Sequence, residues 1–235
     1  MKDKIPHIVL KLWFIIIILV GSLHHVTAQE ENPLGSWYIY NGFFNISPKV
    51  ELFFETQLRT WEVISNPQVF FFRPYFNYNV SEKFQPGLGL EYHINWSFEE
   101  IDGKKLREEE FRITIQTMLF QKIGRVAVQH RFRYEFRFLD ENGKQRTRYR
   151  IQLGIPITKS KIEKGVLFAT IGNEFMVNTQ PELDLSQNRS YVLLGYQFTP
   201  GLNFQFGYMY IARPDANGWS RLQFFLTQKL YYYEK

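Results

Sequence analysis

Cysteine is absent from the 235 residues of this chain. Its absence rules out disulfide cross-links, so a folded domain of this length must draw its stability from backbone pairing and burial. Paired-cysteine motifs are excluded with it. Phosphate-binding glycine loops, the GxSxG serine motif and the HExxH metal motif are missing as well. The familiar sequence signatures of enzymes therefore point to no reaction.

Long apolar runs and strong net charge are also lacking. The longest apolar run covers nine residues, 12–20, which is short for a membrane-spanning helix of about 20 residues. It follows Lys2, Lys4 and Lys11 and precedes the small residues of 26–28. This arrangement predicts a secretory signal peptide over 1–28, cleaved after Ala28.

A mild charge remains once that segment is removed. The chain without residues 1–28 has a net charge of +3. We expect no nucleic-acid partner, because the excess of positive charge is small and the chain is predicted to be exported. Residues 29–235 are then predicted to form one domain.

Aromatic residues are abundant, at 18% of the chain, and they alternate with polar ones. The segment RVAVQHRFRYEFRF, residues 125–138, has arginines on one parity and mostly apolar residues on the other. A period of two is typical of a β-strand, whose successive side chains point to opposite faces. Similar segments recur at 35–46, 49–61, 67–80, 84–97, 108–121, 125–139, 145–157, 165–177, 188–199, 202–212 and 219–232.

These segments are long for a soluble sheet, where strands of five or six residues are common. Their length suits a tilted strand that crosses a bilayer, which takes about 9 to 11 residues. Short turns are predicted at one end and longer polar loops, such as 98–107 and 178–187, at the other. We therefore predict a single antiparallel, up-and-down transmembrane β-barrel.

The count of eleven segments conflicts with the even strand number of bacterial single-chain barrels. The prediction is accordingly ten to twelve strands, with twelve preferred. Glycines on the polar parity are expected to make room on a crowded concave face.

The polar parity is predicted to face the barrel lumen, and the apolar parity to face lipid. Buried charges need partners, and a lumen filled with Arg–Glu pairs would supply them. The predicted lumen charge network comprises Glu51, Glu55, Arg59, Glu91, His93, Glu110, Arg112, Arg131, Arg133, Glu135, Arg137, Arg146, Arg148, Arg150, Glu174 and Arg189. A soluble β-sandwich or a lipocalin-like barrel with its apolar face inward is the alternative.

Five segments resemble a known family: GSWY at 35–38, QHRFRYEFRF at 129–138, RTRYR at 146–150, GNEF at 172–175 and QNRSYVLLGY at 187–196. They are similar to a family of bacterial outer-membrane β-barrels classed as a domain of unknown function. The resemblance covers nearly all of 34–232. It implies a fold and a location, and it transfers no catalytic residues.

One histidine lies on the apolar parity. His130 is a weak candidate for a catalytic residue, because outer-membrane lipid hydrolases place histidine and serine on the lipid-facing wall. Ser190 and Thr170 are also on apolar parities, but the sequence does not bring them near it. The alternative is an amphipathic ring near a membrane interface.

Two polar groups allow a binding function. Glu91, His93 and Asn95 share one face of a strand and could act in acid–base chemistry or hold a metal; a structural hydrogen-bond network is the favoured reading. Arg146, Arg148 and Arg150 could attract an anionic solute or lipid headgroup, although pairing with glutamates is favoured. Asn173 and Asn188 are expected to join the charge network, and Asp184 could hold Ca²⁺ in a loop. We predict no metal and no cofactor.

The sequence thus predicts an exported, monomeric barrel in the outer membrane of a Gram-negative bacterium. Its expected partners are membrane lipids and, during biogenesis, the barrel-assembly machinery. A non-enzymatic role as a structural barrel or narrow pore is favoured. A lipid-modifying enzyme that uses His130 and a soluble, exported ligand-binding barrel are the alternatives.

Overall fold

A computed structural model describes residues 33–101, 104–139, 143–214 and 216–233. The predicted signal peptide lies outside these residues. The described chain forms eleven strands: β1 (Gly35–Asn45), β2 (Val50–Thr60), β3 (Pro67–Tyr78), β4 (Phe84–Ile101), β5 (Lys104–Ile123), β6 (Val126–Phe138), β7 (Lys144–Pro156), β8 (Leu167–Gln180), β9 (Asp184–Thr199), β10 (Leu202–Arg213) and β11 (Ala216–Tyr231). Among the residues described, no helix is long and apolar enough to cross a membrane.

The strands form a closed barrel in which each is paired with its sequence neighbours, and β1 is paired with β11. Every sequential pair is antiparallel, but β1 and β11 run parallel, from Gly35 opposite Arg221 to Asn45 opposite Tyr231. The parallel pair follows from the strand number: if direction alternates along the chain, a first and an eleventh strand point the same way.

The prediction of twelve strands and a wholly antiparallel barrel is therefore wrong for the described chain. The eleven segments found from alternation each correspond to one strand. Twelve strands were favoured only because bacterial single-chain barrels normally have an even number. Alternation within a strand reports which face a side chain occupies, and carries no information about how the first and last strands meet.

The predicted contrast between short turns and long loops is also wrong. At the barrel end where β1 joins β2, here called the turn end, two connections have two residues, but residues 157–166 form the longest described connection. At the opposite end, the predicted loop 98–107 is mostly strand, since β4 runs to Ile101 and β5 starts at Lys104. Charged residues occur on both parities there, so the regular alternation that marks a strand is lost while backbone pairing continues.

The apolar side chains lie outside and the charged ones inside. Phe132 and Phe204 are 44% and 39% exposed, whereas Arg131 and Arg148 on inward positions are 7% and 6% exposed. A soluble sheet protein has the opposite arrangement, with its apolar face in the core. The prediction that the apolar parity faces outward is thus confirmed.

Glycines give bulky inner side chains their room, as the sequence predicts. A Cβ atom on Gly89 would overlap the ring of Tyr75, and one on Gly172 would overlap the ring of Tyr191. Both rings come from the neighbouring strand and lie flat over the glycine position. The concave face is therefore filled by large side chains that depend on adjacent small ones.

Candidate functional site

The lumen is the candidate site, because the charged and polar side chains meet there. Twelve of the sixteen predicted network residues are buried, while Glu51, Arg59, Arg137 and Arg150 are half-buried. All sixteen come from strands β2 and β4–β9. Alternation along each strand explains why they share the inner face.

Glu135 on β6 is the centre of one cluster. Its carboxylate oxygens accept hydrogen bonds from Arg146 and Arg148 on β7, at 2.6 Å each, and lie 3.6 Å from Arg112 on β5. Glu135 has no exposed surface. Three guanidinium groups around one buried carboxylate satisfy its charge without water.

Glu174 on β8 is the centre of a second cluster. It accepts hydrogen bonds from Arg131 and Arg148 at 2.8 Å, and Arg189 on β9 approaches to 3.5 Å. Arg148 contacts both Glu135 and Glu174. The two clusters are therefore one continuous network.

Glu91 on β4 is the centre of a third cluster, which Arg112, 4.0 Å from Glu91, links to the cluster around Glu135. It accepts hydrogen bonds from the hydroxyls of Tyr75 at 2.5 Å and Thr114 at 3.0 Å. Arg73 lies 3.6 Å away and also pairs with Glu55 at 2.6 Å. Sequence reasoning left Tyr75 and Arg73 out of the network, although both share the inward parity of β3.

His93 belongs to this third cluster. Its Nε2 atom is 2.9 Å from Glu91, and its ring lies 4.7 Å from that of Phe71, measured between centroids. In the described chain, no group of three or more His, Cys, Asp or Glu residues is arranged to hold a metal ion. The arrangement is that of a buried hydrogen-bond network between His93 and Glu91.

Glu110 on β5 pairs with two arginines near the end of the barrel opposite the turns. Arg112 donates to it at 2.6 Å and Arg137 at 2.5 Å. Glu51, near the turn end, accepts hydrogen bonds from the amides of Asn77 and Gln85, at 3.0 and 3.3 Å. The carboxylates thus occupy several levels of the lumen.

Three predicted arginines have no carboxylate within ion-pair distance among the described residues. Arg59 donates to Gln57 and lies 3.8 Å over the Trp37 ring. Arg133 donates to Gln116, and Arg150 donates to Gln129. Pairing with glutamate was expected for the whole ladder of Arg146, Arg148 and Arg150, and Arg150 departs from that expectation.

Some of these contacts run across the lumen instead of between neighbours. The guanidinium of Arg133 on β6 lies 4.6 Å from the ring centroid of Tyr75 on β3. That of Arg189 on β9 lies 4.9 Å from the ring of Trp37 on β1. Side chains from strands three places apart in the ring therefore touch at the level of the charge network.

Another part of the lumen wall, here called the apolar wall, carries a cluster of buried apolar side chains. The buried cluster comprises Trp37, Ile39, Tyr191, Leu193, Met209 and Ile211, on β1, β9 and β10. Sequence reasoning missed it, because these strands carry large apolar residues on both parities and only the outward set was expected. The doubled run YVLL at 191–194 is the signal that could have revealed it.

A cavity of about 660 Å³ lies between the charged and apolar walls. It extends toward the turn end, where Ile162, Glu163 and Lys164 of the 157–166 connection contribute to its lining. Among the described residues it is lined by seven arginines and two lysines but only three glutamates. The cavity is therefore strongly electropositive.

His130 lies on the outer wall, as its parity predicts, and no serine of the described residues is bonded to it. Its Nδ1 atom is 2.8 Å from the hydroxyl of Tyr149 on β7. Ser190 instead accepts a hydrogen bond from Asn173 at 3.0 Å. Thr170, assigned to the apolar parity, is buried in the lumen, where it donates to Gln205 at 2.8 Å.

The asparagines beside the network do not join it. Asn173 and Asn188 bond each other at 2.7 Å, while Glu174 and Arg189, each one residue later, point into the lumen. Neighbouring residues of a strand face opposite sides, so only one of each pair can be inside. Asp184 accepts a hydrogen bond from Asn178 at 3.1 Å within the β8–β9 hairpin, not in a cation-binding loop.

Comparisons with curated proteins and with solved structures found no significant match. A family model described as "Protein of unknown function (DUF2490)" matches residues 34–222. The match begins just before β1 and ends within β11, so it covers nearly the whole barrel. This chain belongs to the DUF2490 family of proteins of unknown function.

Proposed function

We propose that this protein is an integral outer-membrane β-barrel that acts as a non-enzymatic, non-conducting envelope component. The observation that carries the proposal is the inversion of its two faces. The outer face is apolar around the ring, and buried ion pairs line much of the lumen. The proposed location includes export by the predicted signal peptide, insertion by the barrel-assembly machinery and a monomeric state.

The outer face supports a lipid environment. Large apolar side chains at least one-third exposed project from strands β2–β6 and β8–β11, and Ile157 is exposed directly after β7; the strand residues include Phe72, Leu88, Ile115, Phe132, Ile171, Val192, Phe206 and Leu226. Monomeric soluble proteins rarely expose contiguous apolar patches above a few hundred Å². A continuous apolar belt is stable against acyl chains and would drive aggregation in water.

Outward tyrosines near the barrel end opposite the turns support a membrane interface there. Tyr38 donates to the carbonyl oxygen of Val63 at 2.6 Å, and Tyr208 is 2.6 Å from the Ser220 hydroxyl. Tyr92 bonds Glu109 in the same region. Amphipathic rings with a polar tip are favoured where apolar and wet regions meet.

The lumen supports a barrier more than a channel. Contacts between Arg133 and Tyr75 and between Arg189 and Trp37 join strands that are not neighbours, so these side chains reach into the lumen, and Glu135 and Glu174 are fully engaged by arginines. A general pore requires a continuous aqueous path through its lumen. We propose that the network interrupts that path.

Fractionation and conductance test the proposal together. We expect the protein in the outer-membrane fraction, with a folded form that migrates faster on gels until it is boiled. In planar bilayers we expect no stepwise conductance at neutral pH. Recovery in the soluble periplasm would refute the location, and regular ion-conducting steps would refute the closed lumen.

A lipid-modifying activity has little structural support. Among the described residues, His130 contacts the phenolic hydroxyl of Tyr149 and no serine or threonine hydroxyl. Acyl hydrolysis of this kind needs a nucleophile within hydrogen-bond reach of its base. We therefore propose that His130 is an interfacial residue whose replacement by alanine leaves lipid composition unchanged.

A further inference from the structure

We propose that the lumen cavity binds one single-chain anionic amphiphile, such as a fatty carboxylate, with its headgroup on Arg133 and Arg150 and its tail along the apolar wall. This goes beyond the proposed envelope role. It rests on the interior of the barrel and does not depend on where the barrel resides.

The headgroup site is a patch of four arginines on β6 and β7. Arg131 lies directly opposite Arg150, and Arg133 directly opposite Arg148. Like charges opposite each other on one face of a sheet destabilise it. Glu174 neutralises only one diagonal of the patch, Arg131 and Arg148.

The other diagonal, Arg133 and Arg150, has only neutral partners. Arg133 is 3% exposed, and one of its terminal nitrogens has no hydrogen-bond partner; the Nε atom of Arg150 is likewise buried without one. Both side chains line the cavity. A buried, unsatisfied guanidinium is costly, and an anion that accepts its free N–H groups would relieve that cost.

A carboxylate fits the spacing of this diagonal. Diagonal neighbours on adjacent strands have their Cα atoms about 7–8 Å apart. Two guanidinium groups that reach toward each other from such positions can share one bidentate or bridging oxyanion. An aspartate or glutamate next to these arginines would supply a permanent counter-charge. The side chains that accept their hydrogen bonds are the neutral amides of Gln116 and Gln129.

The tail site is the wall across the lumen. In the ring of eleven strands, β6 and β7 lie opposite β1 and β11. Trp37 and Phe225 line the cavity on that side, and Met209 on β10 and Leu193 on β9 extend the apolar surface around the wall. The cavity therefore combines a cationic patch with an apolar surface, which selects a ligand that is both charged and apolar.

The volume and the mouth agree with a small amphiphile. A cavity of about 660 Å³ falls in the range of small-molecule sites, roughly 300–1,000 Å³. Lys164 and Lys229 line it toward the turn end. Their charges would attract an anion to the entrance and repel a cation.

Equilibrium dialysis with radiolabelled decanoate tests the proposal, with the barrel held in an uncharged detergent. We expect saturable binding of one decanoate per barrel, at least tenfold weaker binding in Arg133→Gln and Arg150→Gln, and unchanged binding in Arg107→Gln. Arg107 is the matched control, because its side chain is 54% exposed and pairs with Glu109 outside the lumen. Decanol and decyltrimethylammonium should not compete.

A second variant separates loss of the site from loss of the fold. Met209→Trp keeps every charge but fills the tail region, so we expect weakened decanoate binding with retained heat-modifiable gel mobility. The proposal would be overturned if decanol bound as tightly as decanoate. It would also be overturned if both arginine variants bound decanoate as tightly as the wild type. Tight competition by inorganic phosphate would show that the cavity binds simple anions, and it would overturn the proposal that the ligand is an amphiphile.

Discussion

Four lumen glutamates, Glu91, Glu110, Glu135 and Glu174, each lie within ion-pair distance of more than one arginine, and Glu135 shows what this means for stability. Its two oxygens hold Arg146 and Arg148 at 2.6 Å. Removing one partner of a buried pair leaves an uncompensated charge, which costs more than the pair itself contributes. The network is thus sensitive to single charge changes.

Glu135→Gln should lower the free energy of unfolding by about 3–5 kcal/mol. The amide is nearly the same size, so packing is retained, while Arg146 loses its carboxylate partner and Arg148 keeps only Glu174. Urea titration of the barrel in detergent, followed by gel mobility, measures the change. The matched variant Glu109→Gln removes an exposed pair with Arg107 and should cost less than about 1 kcal/mol; equal losses would contradict the account.

Inner glycines make a second prediction at the residue scale. Gly172→Ala places a methyl group inside the ring of Tyr191, whereas Gly154→Ala places one at an ordinary 3.4 Å from Ile162. We expect the first to destabilise the barrel by about 1–3 kcal/mol and the second to be nearly neutral. Thermal unfolding of the two variants in parallel measures the difference; similar melting temperatures would show that the lumen has room to spare at Gly172.

Single strands carry the division between lipid and lumen. On β6, Phe132 points outward between Arg131 and Arg133, which point inward. Successive residues of the same strand therefore face the outside and the lumen in turn. The same substitution should have opposite effects on stability at the two kinds of position. The cost of an outward charge should also depend on depth along the strand.

Phe132→Arg and Phe138→Arg test that dependence. Both side chains are exposed, but Phe132 lies near the middle of β6 and Phe138 ends it. In phospholipid bilayers we expect a loss of about 2–4 kcal/mol for the first and at most about 1 kcal/mol for the second. Folding titrations into liposomes measure both, and equal small losses would mean that the outer face meets water.

At the scale of the whole molecule, closure by a parallel pair distinguishes this barrel from the even-numbered one that the sequence was expected to form. Tyr40 and Leu226 are partners across β1 and β11. The absence of natural cysteine makes this neighbourhood testable by cross-linking.

The double variant Tyr40→Cys/Leu226→Cys should form a disulfide on oxidation, because paired residues of adjacent strands lie within the Cα–Cα range of about 4.4–6.8 Å that a disulfide requires. Tyr40→Cys/Leu230→Cys, displaced by four residues along β11, should remain reduced. Non-reducing gels separate the two. A strand inserted between β1 and β11 would leave both variants reduced and contradict the eleven-strand ring.

Alternation in the sequence was enough to predict strand positions and the inward set of charges, since facing depends only on parity. It was not enough to pair them. Glu135 finds Arg146 and Arg148, while Arg150 finds Gln129, and such partners depend on register between strands. The apolar wall with Trp37 and Met209 was missed because both parities of its strands are apolar, and the cavity exists only once the ring is closed.

Spin labels on the outer wall test the central claim most directly. Labels at Phe132, Leu194 and Phe206, with Ser65 in the β2–β3 connection as the aqueous control, would be placed in the barrel reconstituted in liposomes. The account predicts frequent collisions with dissolved oxygen and few with a water-soluble nickel complex at the three wall positions, and the reverse at Ser65. Nickel accessibility at the wall equal to that at Ser65 would contradict it.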